Sequence, residues 1–227
     1  MQVIYEDNHI IIVNKAPGEI VQGDKTGDTP LVETLKMWLK EKYDKPGNVF
    51  CGVTHRIDRP TSGLVVFAKT SKALSRMNDL FRRGEVNKTY WAVVANRPPK
   101  DADELTHYLK SVEANNKTYV ANSHDKDAKK SQLRYQVIAS SDRYHLLEVE
   151  LITGRKHQIR AQLAAIGCPI KGDLKYGAPR SNPDGSICLQ SHRIWFTHPV
   201  SKETIDVVAP VPPDPLWQAL AQNIKNP

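Results

Sequence analysis

The sequence predicts an α+β fold in which a mixed, largely antiparallel central sheet is flanked by helices. Short apolar segments rich in β-branched residues outnumber the helical segments, and they do not alternate with helices as in a doubly wound parallel sheet. The 227 residues are enough for one sizeable core. Because no internal repeat and no linker rich in Gly, Ser or Pro interrupts the sequence, we expect residues 1–227 to form a single domain.

The predicted strands are β-branched or alternating runs bounded by turn residues. They cover residues 2–6, 9–14, 63–68, 88–95, 117–122, 131–139, 143–152, 187–190, 192–197 and 203–208. In the clearest of them, Leu147, Val149 and Leu151 alternate with two glutamates, a pattern typical of a half-buried strand.

The predicted helices carry apolar residues on one face and recognisable residues at their ends. They cover residues 30–43, 71–83, 157–166 and 215–224. Thr29 suits the cap of the first helix, with Pro30 at its first position. Thr70 suits the cap of the second helix, which Gly84 ends. Pro215 opens the last helix.

The net charge of +7 is concentrated in two segments. Residues 69–100 hold eight Lys or Arg and two carboxylates, which gives a net charge of +6. Residues 154–180 hold six Lys or Arg and one carboxylate, which gives a net charge of +5. The remainder of the chain is therefore slightly acidic, at −4. This distribution favours an anionic partner, nucleic acid above all, although two solvated helix faces would also produce it.

Several classes of protein are disfavoured by what the sequence lacks. No apolar run approaches the ~20 residues of a membrane-spanning helix, and the N-terminus does not have the pattern of a signal peptide. The glycine-rich nucleotide motifs and the HExxH zinc motif are absent. Cys51, Cys168 and Cys188 lack CxxC spacing, which argues against a disulfide framework and a cysteine zinc site. We expect a cytoplasmic protein with buried thiols that uses neither a cofactor nor a metal.

One segment combines a carboxylate with a conformationally restricted loop. Residues 54–63 read THRIDRPTSG. Pro60 restricts Arg59 to an extended conformation, so we expect Asp58 on a stiff loop before a buried strand, where catalytic groups are common. Arg56 and Arg59 could hold Asp58 ionised, because an opposite charge within ~4–6 Å favours the charged form. The same pattern also describes a loop that is only braced by ion pairs.

A second segment combines a strand end, a helix start and several basic side chains. Residues 151–160 read LITGRKHQIR. The helix that opens after Gly154 presents backbone N–H groups which, with Arg155 and Lys156, suit a phosphate. Arg155 and Arg160 are five residues apart, so they point to different helix faces. Arg160 could pair with a buried carboxylate while Arg155 meets a ligand; both could also be plain solvated side chains.

Four segments resemble, in order, the motifs of RluA-type pseudouridine synthases. The segment HRIDRPTSGLVVFAK resembles the family's HRLDxxTSGLLLFAK, and GRKHQIRAQLAAIGCPIKGDLKYG resembles its GRTHQIRxHLxxxGxPIxGDxxYG. The segments IYEDNHIIIVNKAPG and NKTYWAVV are similar to its first motif and its K-x-Y motif. The match extends over about residues 3–200. The departures, Ile57, Lys156 and Gln162, remove no charged catalytic position. The resemblance implies a stand-alone catalytic domain without an S4 domain.

The resemblance implies that the chain isomerises uridine to pseudouridine within RNA and that three residues carry the reaction. Asp58 matches the essential aspartate, which either attacks C1′ or takes the 2′ proton. Arg160 matches the arginine that pairs with that aspartate in a cleft across the sheet. Tyr90 matches the tyrosine whose ring stacks on the flipped uracil. No cofactor is implied, because the isomerisation is not a redox reaction.

The resemblance also implies an RNA partner, held by basic side chains around the carboxylate, because a base inside folded RNA must be extruded to react. The side chains expected to contact RNA are Lys15, His55, Arg56, Arg59, Thr61, Arg83, Lys88, Arg155, Lys156 and His157. His55 and Arg56 could fill the gap that the base leaves. Lys15 equally suits RNA or the sheet edge. Residues 98–130 are where we expect RNA specificity to reside.

Two other functions are compatible with parts of the sequence. A non-catalytic RNA-binding protein would be expected to lack the aspartate, arginine or tyrosine, and all three residues are present. A glycosidase commonly needs two carboxyl groups about 5–10 Å apart, and no second acidic residue adjoins Asp58 in sequence. We expect a monomer that acts on ribosomal or transfer RNA and binds neither DNA nor membranes.

Overall fold

The computed structural model describes residues 1–224. Among them, eleven strands follow the chain as β1 (Gln2–Glu6), β2 (Ile10–Lys15), β3 (Gly52–Val53), β4 (Ser62–Ala68), β5 (Asn87–Val94), β6 (Ala102–Val112), β7 (Lys117–Ala121), β8 (Lys129–Ser140), β9 (His145–Leu151), β10 (Leu189–Thr197) and β11 (Thr204–Val208). The α-helices are α1 (Leu31–Lys42), α2 (Ser71–Arg83), α3 (Gln158–Ala165) and α4 (Pro215–Gln222). Every strand pair with a described register is antiparallel. The predicted α+β class with largely antiparallel strands is therefore confirmed.

Within the chain that the sequence predicts as one domain, the structure distinguishes two compact units. Unit 1 comprises Met1–Asn87 and Ser191–Ala209, and unit 2 comprises Lys88–Gln190 and the residues from Pro210 onward. Each unit has its own strands, helices and candidate site residues.

The sheet of unit 1 is buried on both faces around its central strands. Its strands are ordered β1-β2-β4-β10, with β3 beside β4 and β11 beside β10. Along β2, Ile11 and Val13 pack with α1, whereas Ile10 and Ile12 pack with α2 and β11. Alternate side chains of a strand point to opposite faces, so the continuous apolar run IIIV is the expected sequence of a strand covered on both sides.

The sheet of unit 2 is ordered β5-β9-β8-β6-β7. Helix α3 packs against its end, where Ala161 meets Leu109 of β6 and Tyr176 in a small buried cluster. The edge strand β7 is part of a hairpin with β6, closed by the turn 113–116. The hairpin lies within the segment where we expect specificity.

The structure corrects several element boundaries. The predicted strands 187–190 and 192–197 are one strand, β10. The cap of α1 is Pro30 rather than Thr29, and Pro30 makes no side-chain cap bond. Helix α3 begins at Gln158, because the backbone of His157 is left-handed, with φ 52°. The sequence pattern does not predict strand β6. Helix α2 has the bounds and end residues that the sequence predicts, and its cap hydroxyl accepts a bond from Ala73.

Candidate active site

Asp58 lies in unit 1, in the loop that joins β3 to β4. Its side chain is half-buried, and its backbone carbonyl accepts a hydrogen bond of 3.0 Å from the N–H of Thr61. The loop then enters β4, whose residues from Gly63 to Ala68 are buried. The carboxylate is therefore presented from a short turn fixed to a rigid strand, as the sequence predicts.

A buried lysine holds this loop through its main chain. Lys15, at the end of β2, is 1% exposed, and its Nζ donates to the carbonyls of Ala16 at 2.8 Å, Glu19 at 2.9 Å and Arg59 at 3.1 Å. An ammonium group has three N–H bonds, so these carbonyls use them all. Lys15 is not at a sheet edge, because β2 lies between β1 and β4, and its acceptors are loop carbonyls; its contact with RNA remains a prediction.

Lys15 is also electrically coupled to the loop. Its burial lowers the pKa of the ammonium to about 8, while the negative charges of Glu19 and Asp58 act to raise that pKa. The desolvation penalty therefore outweighs the attraction of the two carboxylates.

The strand that follows the loop accepts only glycine at its second residue. Gly63 has φ +109°, and a Cβ there would collide with the backbone of Ser191 in β10. Positive φ of this size is strained for residues with a side chain. Gly63 in the TSG sequence thus allows β4 to lie unusually close to β10.

His55 is bonded to the same strand. Its Nε2 accepts a hydrogen bond of 3.0 Å from the backbone N–H of Val66, and its ring lies 4.8 Å from that of Phe81, centroid to centroid. The hydrogen bond fixes the orientation of the imidazole relative to β4. The predicted role of His55 beside a flipped base remains a prediction.

The remaining candidates of this loop differ in exposure. Arg56 is exposed. Arg59 is also exposed, and its guanidinium pairs with Asp28 at 2.6 Å, a surface ion pair of the kind that contributes little to stability. Thr61 is 1% exposed, and no hydrogen-bond partner is described for its Oγ1. Arg56 and Arg59 are thus the exposed cations of this loop.

Tyr90 lies in unit 2, on β5, and is 6% exposed. It is directly opposite Val149 of β9, which in turn is opposite Tyr135 of β8. Side chains of directly paired residues share a face of the sheet. Tyr90 is therefore on the buried face of unit 2.

Arg160 makes a buried, bidentate ion pair. Its Nε donates to Oδ2 of Asp173 at 2.7 Å and its Nη2 to Oδ1 at 2.8 Å, and the two side chains are only 6% and 1% exposed. The sequence predicts that Arg160 meets a buried carboxylate, and Asp173 is such a carboxylate. The pairing with Asp58, which rests on the resemblance, remains a prediction.

Tyr176 connects Arg160 to the edge of the sheet. Its ring centroid is 4.9 Å from the guanidinium carbon, and its hydroxyl accepts a hydrogen bond of 2.8 Å from the N–H of Thr118 in β7. The same hydroxyl is 2.9 Å from Nδ1 of His157. Burial raises the pKa of Tyr176, against the opposing effect of the Thr118 bond. His157, predicted to contact RNA, is thus 9% exposed and bonded within the protein.

The predicted phosphate site before α3 is only partly available. Arg155 and Lys156 are exposed, but the backbone N–H of Arg155 donates to Oε1 of Gln158 at 2.9 Å. The Gln158 amide also accepts from Thr153 and donates to Gln132 at 2.9 Å each. The Arg155 backbone N–H is therefore already bonded within the protein, whereas the two side chains remain accessible; the phosphate site itself remains a prediction.

The K-x-Y segment and the TGR segment are neighbours within unit 2. Nζ of Lys88 lies 4.0 Å from the position that a Cβ of Gly154 would occupy. Burial lowers the pKa of Lys88 to about 8. Arg83 in unit 1, at the end of α2, is exposed and pairs with Glu85 at 2.7 Å. Arg83 is thus better placed for phosphate contact than Lys88.

The structure also bears on metals, thiols and membranes. Within residues 1–224, His, Cys, Asp and Glu form no group of three or more that could hold a metal ion. Cys51, Cys168 and Cys188 are buried free thiols, as predicted. No described helix is both long and apolar enough to cross a membrane.

Sequence reasoning did not assign roles to Asp173, Tyr176 or Gln158. All three belong to segments quoted for the resemblance, in GDLKYG and HQIR. The one sign in the sequence that these residues have a role is their position in segments dense in polar residues. Their hydrogen-bond partners could not be deduced from it.

Sequence comparison gives one family. A family model described as RNA pseudouridylate synthase matches residues 9–165. The chain is 31% identical over 215 residues to the ribosomal large subunit pseudouridine synthase C of Vibrio vulnificus, and spans 65% of that protein's length. It is 30% identical to the ribosomal large subunit pseudouridine synthase D of Zymomonas mobilis, spanning 70% of it. It is 29% identical to the tRNA pseudouridine synthase C of Vibrio vulnificus, spanning 96% of it; these alignments cover 92%, 94% and 100% of this chain.

Solved structures give the same fold. Human RNA pseudouridylate synthase domain containing 4 superposes with a TM-score of 0.81 at 22% identity, over 100% of this chain and 94% of the human one. Human RNA pseudouridylate synthase domain containing 1 superposes with a TM-score of 0.72 at 21% identity, over 96% and 86%. At these identities the likeness establishes the fold alone.

Proposed function

This chain belongs to the RNA pseudouridylate synthase family, and on that basis we propose that it isomerises uridine to pseudouridine in ribosomal or transfer RNA. The observation that carries the proposal is the family match over residues 9–165, which includes Asp58, Tyr90 and Arg160. The named relatives act on ribosomal RNA in two cases and on tRNA in the third. Both substrates are therefore proposed.

The proposed reaction rearranges one nucleotide without a net change of atoms. The N1–C1′ glycosidic bond breaks, the uracil turns, and a C5–C1′ bond forms. The proton on C5 then leaves, and N1 gains one. Since no electrons are gained or lost overall, acid-base and nucleophilic groups of the protein suffice.

Asp58 is proposed as the catalytic carboxylate. It either attacks C1′ to form a covalent adduct or removes the 2′ proton to form a glycal, and both routes need an ionised carboxylate. The hydrogen bond from Lys15 to the carbonyl of Arg59, the residue after Asp58, supports this assignment because it helps to fix the loop. The turn from Asp58 to Thr61 supports it too, because reaction requires a fixed orientation.

Arg160 and Tyr90 are proposed to complete the site. Arg160 is assigned as the ion-pair partner of Asp58 by the resemblance, and Asp173 would hold its guanidinium in a fixed orientation. Tyr90 is assigned to stack on the flipped uracil. Its position on β5, within the matched residues 9–165, supports that assignment.

RNA is proposed to be held by exposed basic side chains of both units. The accessible guanidinium and ammonium groups of Arg56, Arg83, Arg155 and Lys156 support phosphate contacts, which dominate the affinity of proteins for nucleic acids. The more buried Lys15 and His157 are better explained as supports of the site.

The proposed function can be tested by mapping pseudouridines in RNA from cells with and without this protein. We expect one or more uridines of ribosomal or transfer RNA to lose the modification when the protein is absent and to regain it when the protein is restored. Restoring the Asp58→Asn variant should not regain it. An unchanged pseudouridine map in both RNA classes would contradict the proposal.

A further inference from the structure

The β6–β7 hairpin of unit 2 carries a row of lysines and tyrosines on one face. Paired residues share a face, and the register places Tyr108 opposite Lys130, Lys110 opposite Tyr119, and Val112 opposite Lys117. We call these residues of the hairpin, Tyr108, Lys110, Lys117 and Tyr119, together with Lys130 of the neighbouring strand β8, the hairpin surface. It combines aromatic rings with positive charge, as single-stranded nucleic-acid sites do.

The tyrosine at the centre of the hairpin surface is accessible. Tyr119 is 40% exposed, and its hydroxyl accepts a hydrogen bond of 2.6 Å from the Asn115 amide. Nζ of Lys117 lies 5.3 Å from the Tyr119 ring centroid. The ring is thus held at the surface, with a cation beside it.

The hairpin end of this sheet face is positively charged, whereas carboxylates outnumber cations further along the same face. The paired residues 108–112 and 117–121 include two lysines and no carboxylate; the nearest carboxylate in sequence is Glu113, in the turn. Further along the face, Arg134 pairs with Glu104 at 3.0 Å and with Glu150 at 3.5 Å. This part of the face thus has two carboxylates to one guanidinium, so it attracts a phosphate less than the hairpin end does.

The hairpin surface is distinct from the face that carries Tyr90. The register leads from Tyr90 to Val149 and Tyr135, and Tyr135 is opposite Asp103 of β6. Asp103 is an odd number of residues from Lys110, and successive side chains of a strand point to opposite faces. RNA on the hairpin surface would therefore not occupy the Tyr90 face.

The hairpin is nevertheless linked to the helix that carries Arg160. Thr118 of β7 donates its backbone N–H to the Tyr176 hydroxyl, and the Tyr176 ring lies against Arg160. Nζ of Lys117 is also 5.2 Å from the Tyr176 ring centroid. An RNA strand bound at β7 would thus lie at an edge that contacts candidate active-site residues.

We propose that the hairpin surface is a second RNA-contact surface, which binds a single-stranded stretch of the substrate outside the reacting uridine. One base stacks on Tyr119, and Lys110, Lys117 and Lys130 contact the adjacent phosphates. The proposal rests on the proposed function for the identity of the RNA. It adds a surface that recognises the flanking strand, within the segment where we expect specificity.

The proposal is tested by the affinity of the full chain for a fluorescently labelled single-stranded RNA of about 16 nucleotides, measured by anisotropy. Tyr119→Ala should weaken binding about tenfold, since it removes a stacking ring. Tyr119→Phe should bind as the wild type does, because it keeps the ring and loses only the hydroxyl. If Phe weakens binding as much as Ala, or if Ala has no effect, stacking on Tyr119 is excluded.

The lysines give an independent readout. The double variant Lys110→Gln, Lys117→Gln should lower the slope of log affinity against log salt by about 1.4, or 0.7 for each phosphate of a single strand that the protein no longer neutralises. Lys40→Gln, at an exposed lysine of α1, is the matched control and should leave the slope unchanged. An unchanged slope in the double variant would overturn the proposal. Binding does not require turnover, so a failure here is distinguishable from an unchanged pseudouridine map.

Discussion

The loop of Asp58 and the helix of Arg160 are fixed by different kinds of interaction. Around Asp58, the contacts that define the loop go to backbone atoms: Lys15 donates to three carbonyls and Thr61 closes the turn. Around Arg160, side chains bond to one another, through Asp173 and Tyr176. A backbone carbonyl is present whatever the residue type, whereas a network of side chains is lost when any one of its residues is replaced. We infer that the Asp58 loop tolerates change at the acceptor residues, and that the Arg160 network does not.

The largest expected loss of unfolding free energy follows a change in the side-chain network around Arg160. Asp173→Asn removes the negative charge of the carboxylate that binds the buried guanidinium of Arg160, and breaking a buried ion pair in this way costs about 3–5 kcal/mol. The free energy of unfolding in urea should fall by that amount. The matched control is Asp206→Asn, which breaks a half-exposed bidentate pair with Arg193 and should cost about 1 kcal/mol or less. Equal losses would show that burial does not distinguish the two pairs.

The next effect concerns the lysine that anchors the Asp58 loop. Lys15→Met keeps an apolar stem but leaves three carbonyls without their donor, and we expect a loss of about 2–3 kcal/mol near neutral pH. Lys40→Met, at an exposed site on α1, is the control and should change the unfolding free energy by less than about 0.5 kcal/mol.

The loss at Lys15 should depend on pH in a defined direction. The pKa of Lys15 is about 8 in the folded protein against 10.5 for an unperturbed lysine, so between these values the unfolded chain binds more protons. The unfolding free energy therefore rises with pH in this window, and the difference between the wild type and Lys15→Met should grow by up to about 3 kcal/mol. Arg160 does not titrate there, so Asp173→Asn should show no such trend. A constant difference for Lys15→Met would contradict its burial as a charged group.

The smallest effect is at the tyrosine hydroxyl. Tyr176→Phe keeps the ring against Arg160 but removes the acceptor for the N–H of Thr118, and should cost about 1–2 kcal/mol. Amide hydrogen exchange at Thr118 should become faster. Tyr135→Phe is a suitable control, because its hydroxyl donates only to the Lys100 carbonyl, at 3.2 Å, and that bond is remote in sequence from Thr118. Unchanged protection of Thr118 in Tyr176→Phe would show that the bond does not hold β7.

Much of the fold could be predicted because the buried side chains of a strand or helix recur at regular intervals in the sequence. Strand β9 alternates, and α2 has both a threonine cap and a terminal glycine, so their positions follow from local rules. Strand β6 was missed because its most buried residues, Leu105 and Leu109, are four apart, a spacing that fits a helix as well as a strand. Its strand conformation depends on pairing with β7 and β8, which a local pattern does not reveal.

Parts of the candidate site could be predicted where a residue type restricts the backbone conformation or requires a particular kind of partner. A stiff loop for Asp58 follows from Pro60, and a buried carboxylate was one of the two partners that the position of Arg160 on the helix allowed, the other being solvent. The partners were not predictable. Asp173 is thirteen residues from Arg160, and the acceptors of Lys15 are carbonyls, which every residue has. Likewise, the Gln158 side chain takes the N–H of Arg155, so an apparently open helix start is partly closed.

The most direct test of the central claim, that Asp58 drives isomerisation of uridine in RNA, is the release of tritium from RNA labelled at C5 of uridine. The wild type should release tritium to solvent, because forming the C5–C1′ bond expels the C5 proton. Asp58→Asn should reduce the rate by at least about 10²–10⁴-fold while it still binds RNA, and Asp44→Asn, at an exposed aspartate after α1, should release tritium as the wild type does. Release by Asp58→Asn at the wild-type rate, or no release by the wild type from either ribosomal or transfer RNA, would contradict the account.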